Sequence, residues 1–151
     1  WPGKELAFRK MFQLTDAGLL ARAAEWSGTA PGAADQAFNI TNGDYFRWEQ
    51  LWSKIAAAFD MEMGPIQTVD LSRMMADKEL LWQSMIEKYG LQPTAFADAA
   101  NWAFGNYVLG NEWDVMSDTL KARKAGFHEC QDSEARFVEQ LKELRAEKFV
   151  P

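Results

Sequence analysis

Apolar residues recur at helical spacing through most of the chain. Trp48, Leu51, Trp52, Ile55, Ala56 and Phe59 stand at i, i+3, i+4, i+7, i+8 and i+11, which is one stripe of an α-helix. Asp44 precedes that stripe as a cap, and Asn42-Gly43 before it is a turn signal. Upstream, Thr15-Asp16 supplies a cap for a helical face of Leu19, Leu20, Ala23, Ala24 and Trp26 that Gly28 should end. Asp70 or Ser72 opens a helix reaching about Tyr89, with Met74, Met75, Trp82, Met85, Ile86 and Tyr89 on one face and Gly90 as its stop. Pro93-Thr94 opens another that runs to about Leu109. A shorter helix is expected from Met116 to Ala125, with Ser117 as cap and Gly126 as stop. Asp132-Ser133 starts the last helix, whose stripe is Phe137, Val138, Leu141 and Leu144. Period-two alternation occurs once, from Gln36 to Thr41, and reads as a strand. Trp1-Pro2-Gly3 reads as a strand end or turn. The expected fold class is mainly α with one or two short strands, an α+β lobe of about six helices. If the strand joins a larger sheet, its edge would be left open or an apolar patch exposed, and a homodimer would cover it.

One stretch breaks the amphipathic rule. Between Asp98 and Glu112 there is no charge, and Ala, Trp, Phe, Tyr, Val and Leu fall on every side. A helix that is apolar all round is buried or covered by a partner.

Length and charge narrow the classes. The 151 residues fit one domain with a real core, residues 1–151. Net charge is −6, with 22 acidic against 16 basic residues, which argues against nucleic acid as a partner. No apolar run approaches membrane-spanning length, so no membrane partner is expected. Cys130 is the sole cysteine, so no internal disulfide forms, and a lone thiol suits a cytoplasmic protein. The chain opens without an initiator Met, and is expected to be part of a longer polypeptide.

Enzyme motifs are missing. Gly28 to Gly32 and Gly105 to Gly110 lack the spacing and the strand–turn–helix setting of a phosphate-binding loop. No Tyr is followed four residues later by Lys, and no GxSxG occurs. No catalytic, cofactor-binding or metal-ligating residue is therefore assigned. His128 to Glu134 is the densest polar cluster, but consecutive loop residues rarely converge on a metal, and no second His exists. It reads as a solvated loop with Asp132 or Ser133 capping the helix that follows. A hydrolase using His128 as base is a weak reading, because no partner for it can be named. Glu112-Trp113-Asp114 reads as a surface turn that buries its indole. Met74, Met75, Met85 and Trp82, with Trp102, Phe104 and Tyr107, could line an apolar pocket. Periodicity alone favours plain helix core.

Several segments together resemble one enzyme family. AFNITNGDYFRWEQLW at residues 37–52 is similar to the strand–turn–helix segment of extended short-chain dehydrogenases/reductases, also labelled NAD-dependent epimerase/dehydratase. The likeness is to the enone reductases of the progesterone 5β-reductase and iridoid synthase type and to their bacterial relatives. WAFGNYVLGNEWDVMSDTLKARKAGFHE at 102–129 resembles that family's WxFGD…S…K…GF region, and Lys148-Phe149-Val150-Pro151 its usual ending. Trp1-Pro2-Gly3 and Asp16 also match in order, so the resemblance covers nearly the whole chain. One departure stands out: Asn106 occupies a place where many members carry Asp.

The resemblance implies a C-terminal substrate-binding lobe whose nucleotide-binding Rossmann half, with its Gly-rich loop and catalytic Tyr and Lys, lies upstream. It implies NADP or NAD in the full-length protein and none in this portion, which alone would be inactive. It implies a small apolar carbonyl substrate, an enone whose C=C bond is reduced. The implied substrate contacts are Phe104 first, with Trp102 and Tyr107 on the same aromatic helix and Leu109 and Asn111 just after it. From a different class comes a free-standing helical domain that binds an apolar ligand or a protein partner.

Overall fold

The computed structural model describes residues 1–151. Nine α-helices, one 3-10 turn at Pro31–Ala33 and two short strands follow one another: α1 Glu5–Arg9, β1 Met11–Phe12, α2 Ala17–Thr29, β2 Phe46–Arg47, α3 Trp48–Ala58, α4 Leu71–Met74, α5 Glu79–Tyr89, α6 Phe96–Ala99, α7 Trp102–Leu109, α8 Leu120–Lys124 and α9 Ser133–Ala146. The strands pair antiparallel, Met11 opposite Arg47 and Phe12 opposite Phe46. The mainly helical α+β class is as expected. No helix is long and apolar enough to cross a membrane.

The α3 stripe builds the larger core. Trp48 and Leu51 are buried with Trp1, Ala7, Phe8 and Phe46, while Trp52, Ile55 and Phe137 of α9 close over them. The rings meet at angles: Trp1 stands edge-on to Trp52 at 5.0 Å and Phe46 edge-on to Trp48 at 5.4 Å. Such offset contacts suit aromatic quadrupoles and add about 0.5–1.5 kcal/mol each beyond burial. A second, smaller core joins Leu19 and Ala23 of α2 to Ala122 of α8 and Phe127, with Trp26 and Phe38 meeting edge-on at its margin.

Between the two cores lies a polar node. Asn42, 2% exposed, accepts the Asp16 backbone N–H through Oδ1 at 2.6 Å and donates through Nδ2 to Ser133 Oγ at 3.0 Å. The Ser133 hydroxyl donates onward to Asp44 Oδ1 at 2.5 Å, and its backbone N–H reaches Asp44 Oδ2 at 2.8 Å. Asp16 caps α2 by accepting from Leu19 N–H at 2.9 Å and pairs with Arg136 Nε of α9 at 2.9 Å. That cap, with Arg136, holds the Asp16 carboxyl below its usual range. A carboxylate depressed in the folded state stabilises fully above its unfolded pKa, near 4. The contribution disappears as pH falls through the lower folded value. Asp16→Asn keeps the cap and loses the charge. Urea titrations should therefore find it less stable than the parent at pH 7, with the gap shrinking only as pH falls below about 4 and through the lower folded value.

Several expected elements differ. Residues 36–41 form no strand. Their backbone is committed to side chains instead: Ile40 O accepts from Thr15 Oγ1 at 3.0 Å, and Ala37 O from Lys121 Nζ at 2.9 Å. The strand edge that a homodimer would have covered is therefore absent. Asn42-Gly43 does turn, with Gly43 at φ 96°. Asp44 caps the start of α9 rather than α3, which begins at Trp48 after Arg47. The helix expected over 70–89 is two, α4 and α5, with turns at 75–77 between them. Gly90 ends α5 in the left-handed region, φ 61°. The helix expected to Leu109 is also two. Ala100 is extended, and Asn101 takes the Phe104 N–H at 2.9 Å, so a short polar side chain competes with the backbone and restarts the helix. α2 runs past Gly28 to Thr29. α8 begins only at Leu120, where Asp118 accepts the N–H at 2.7 Å, while Ser117 bonds Gln13.

Candidate functional site

α7 is the element that carries the aromatic candidates, and its faces have different surroundings. Asn101 caps it from outside. Trp102 turns towards a cavity of about 500 Å³ walled by α5, α6, α7 and the C-terminal segment. Met75, Trp82, Met85, Phe96, Phe149 and Trp102 are among its lining residues. The Trp82 indole donates to Thr94 O at 2.8 Å, which fixes one wall, and Phe96 lies 6.1 Å from Trp102, ring to ring. The Lys78 amine at the rim is paired with Asp77 at 2.5 Å. The volume falls within the 300–1,000 Å³ of ordinary small-molecule sites, and the lining suits a neutral apolar guest. Met74, expected on the same face, is exposed instead. The Met and aromatic residues are thus not plain helix core.

The opposite side of α7 faces outward. Phe104 is 62% exposed and Tyr107 68%, with ring centroids 6.4 Å apart. No residue of α7 is fully buried, and the rest of the chain leaves its outer face uncovered. Monomeric proteins seldom leave such a face open without a use for it. A third side packs on α4: Leu71 lies on Gly105, and the Asn106 amide bonds Leu71 N–H and Asp70. At its end, Val108 and Leu109 pack against the larger core, and Leu109 O accepts the Lys4 N–H at 3.0 Å.

The five contacts implied by the resemblance are therefore separated. Phe104 and Tyr107 share the outer face, and Trp102 lines the cavity behind it. Leu109 sits against Trp1 and Gly3, and Asn111 is buried with its Oδ1 unpaired. Sequence reasoning missed Phe96, Phe149 and Val150 as cavity lining, and missed Asp70 and Ser72 as partners of Asn106. The cavity residues lie far apart along the chain, and no spacing pattern joins them. His128 and Cys130 are exposed, and no three His, Cys, Asp or Glu residues are grouped to hold a metal ion. Trp113 is 62% exposed, against the expectation of a buried indole. Its neighbours hold it at the surface, Glu112 pairing with Lys4 at 2.7 Å and Asp114 accepting the Met11 N–H at 2.9 Å.

The architecture is that of a helical lobe with an aromatic helix on its surface, and it contains no phosphate-binding loop. No family model matches the chain. Curated relatives do, along its whole length. It is 35% identical to an (S)-8-oxocitronellyl enol synthase of Nepeta cataria, over 100% of this chain and 39% of that protein. Identity is 32% to the enzyme of that name from Antirrhinum majus and 30% to that from Catharanthus roseus, each over 100% of this chain and 40% of the relative. The chain is thus similar along its whole length to iridoid synthases, and those relatives belong to the progesterone 5β-reductase group of the short-chain dehydrogenase/reductase family. It spans about 39% of the length of these relatives.

Proposed function

We propose that the chain forms the substrate-binding portion of an NAD(P)H-dependent oxidoreductase that reduces the C=C bond of a small enone-type carbonyl compound. The relatives' shared name, an enol synthase, supports this class of substrate, because adding hydride to a conjugated carbonyl yields an enol or enolate. The observation that carries the reading is the open aromatic face of α7. Phe104 and Tyr107 form an apolar wall against which a hydrocarbon substrate can lie flat. Covered by the rest of the protein, such a wall excludes water and restricts the substrate's orientation, two requirements of hydride transfer to carbon. Trp102, Leu109 and Asn111 support this wall from behind and at its end.

The residues present do not fit the cofactor. There is no Gly-rich loop, and the arginines of the largest polar cleft are already neutralised, Arg22 by Glu129 and Arg136 by Asp16, Glu139 and Glu143. The nicotinamide nucleotide is assigned to the Rossmann domain of the whole protein, and these residues supply neither hydride nor proton.

The test uses the full-length protein with NADPH and a panel of small enones, following oxidation of the reduced cofactor. Phe104→Ala should lower kcat/KM by about tenfold or more while leaving NADPH affinity unchanged, and its exposed position leaves folding intact. The 500 Å³ cavity favours a second reading, a domain that binds a neutral apolar ligand and turns nothing over. The same experiment separates the two. Absence of both turnover and NADPH binding, together with saturable binding of a neutral apolar molecule, would replace the reductase reading with the second.

A further inference from the structure

An open helix face can serve as a wall only if the helix is prevented from rolling. For α7 the side-chain hydrogen bonds that do this against α4 come from one residue. Asn106 Oδ1 accepts the Leu71 N–H at 2.7 Å, and Asn106 Nδ2 donates to Asp70 Oδ1 at 2.7 Å and towards Ser72 Oγ at 3.2 Å. Asp70 is at the same time the cap of α4, accepting the Arg73 N–H at 3.3 Å. Leu71 N–H is one of the first-turn donors of α4 that its own helix leaves unpaired. The helices meet closely here, since a Cβ on Gly105 would stand 3.1 Å from Leu71 Cδ1. Asn106 lies two residues after Phe104 and one before Tyr107. At 100° per residue, fixing its direction fixes theirs.

We propose that Asn106 is the positioning residue of the substrate wall: its amide locks the rotation of α7 against α4 and holds Phe104 and Tyr107 at the orientation that receives the substrate. This rests on the reading of α7 as that wall. The position needs an amide because it must accept and donate at once. A carboxylate could still accept from Leu71 N–H, but would set a second negative oxygen against Asp70 Oδ1. Asp70 is held below the usual carboxylate range, chiefly by the bond from Asn106 and then by the Arg73 N–H. The other charged groups around the contact are the Arg73 side chain on α4 and Lys4, which lines the same small cleft and is paired with Glu112.

The experiment is a swap in the full-length enzyme. Asn106→Asp should lower kcat/KM for the enone about tenfold at pH 8, with the KM for NADPH unchanged. Measured as a ratio to the parent at each pH, the loss should shrink towards pH 5.5, where one proton shared by the two carboxyls restores a donor. The double variant Asp70→Asn with Asn106→Asp should recover most of the activity. In that variant the amide introduced at position 70 can donate to the carboxylate introduced at position 106, and its oxygen can still cap the Arg73 N–H. Melting temperatures of the same variants report the α4–α7 contact without turnover, and should fall in the single variant and recover in the double. Parent-like kinetics in Asn106→Asp at pH 8, or a double variant no better than the single, would overturn the proposal. Melting temperatures that follow the swap while kinetics do not would make the contact structural only. If the parent itself reduces no enone, the reading of the wall fails, and the melting data still judge the contact.

Discussion

Asn42→Ala should cost about 2–5 kcal/mol of unfolding free energy, the largest loss expected from any single polar side chain in this protein. The residue is nearly inaccessible, and its amide bridges two helix starts. Oδ1 takes the N–H of Asp16, which caps α2, and Nδ2 reaches Ser133, the first residue of α9. Its own backbone is engaged as well, N–H to Leu14 O at 2.9 Å and O from Gln131 N–H at 2.8 Å, so the main chain cannot shift to fill the gap. Ser133 is fully buried, and keeps only its bond to Asp44. An unpaired buried donor or acceptor costs about 1–3 kcal/mol each. Against a total stability of roughly 5–15 kcal/mol this is severe. The measurement is a urea midpoint at pH 7. A loss under about 1 kcal/mol would mean that water enters and replaces the amide.

Gly3→Ala should rank beside it, lowering stability by about 3 kcal/mol or more. A Cβ at residue 3 would fall 2.2 Å from Leu109 O, 2.8 Å from Leu109 Cβ and 2.7 Å from the Trp1 ring. Backbone and a buried indole cannot step aside, so the first residues must lift from the end of α7. The Lys4 to Leu109 hydrogen bond and the edge-on packing of Trp1 would go with them. At about 2–4 °C per kcal/mol for a chain of this size, the melting temperature should drop by roughly 10 °C. Gly28→Ala is the control. It lies inside α2 with nothing within 4 Å of the added carbon, and should be neutral or slightly stabilising. Equal melting temperatures for Gly3→Ala and the parent would refute the close approach.

The readable parts of this fold are local ones. Asp16, Asp70 and Asp132 each cap the helix their position announces, because an N-cap depends only on residues three or four apart. The stripe of α3 needed nothing beyond its own period. What failed was set by distant partners. The alternation at 36–41 is genuine, but Thr15 and Lys121 claim its carbonyls, and no strand is near enough to pair. The pairing of Met11–Phe12 with Phe46–Arg47 spans too few residues to leave a pattern. The helix break at Ala100 answers to Asn101, whose amide carries no periodicity. For the candidate site, the residues of Phe104's helix were visible as a chargeless run. Which side each of them faces was not visible, since a helix apolar all round gives no moment to orient it.

The stitching of residues 4–13 to residues 109–117 also sets an order of events during synthesis. Lys4 bonds Leu109 and Glu112, Met11 bonds Asp114 and Val115, and Gln13 bonds Ser117, each across about a hundred positions of chain. A translating ribosome adds about 5–20 residues per second, so Trp1, Phe8 and Phe12 wait roughly 5–20 s for the segment that holds them. Their partners in α3 emerge much sooner. The aromatic cluster can therefore collapse early while its peripheral ties form last, which makes residues 4–13 a piece that a nascent-chain chaperone would meet only partly tied down.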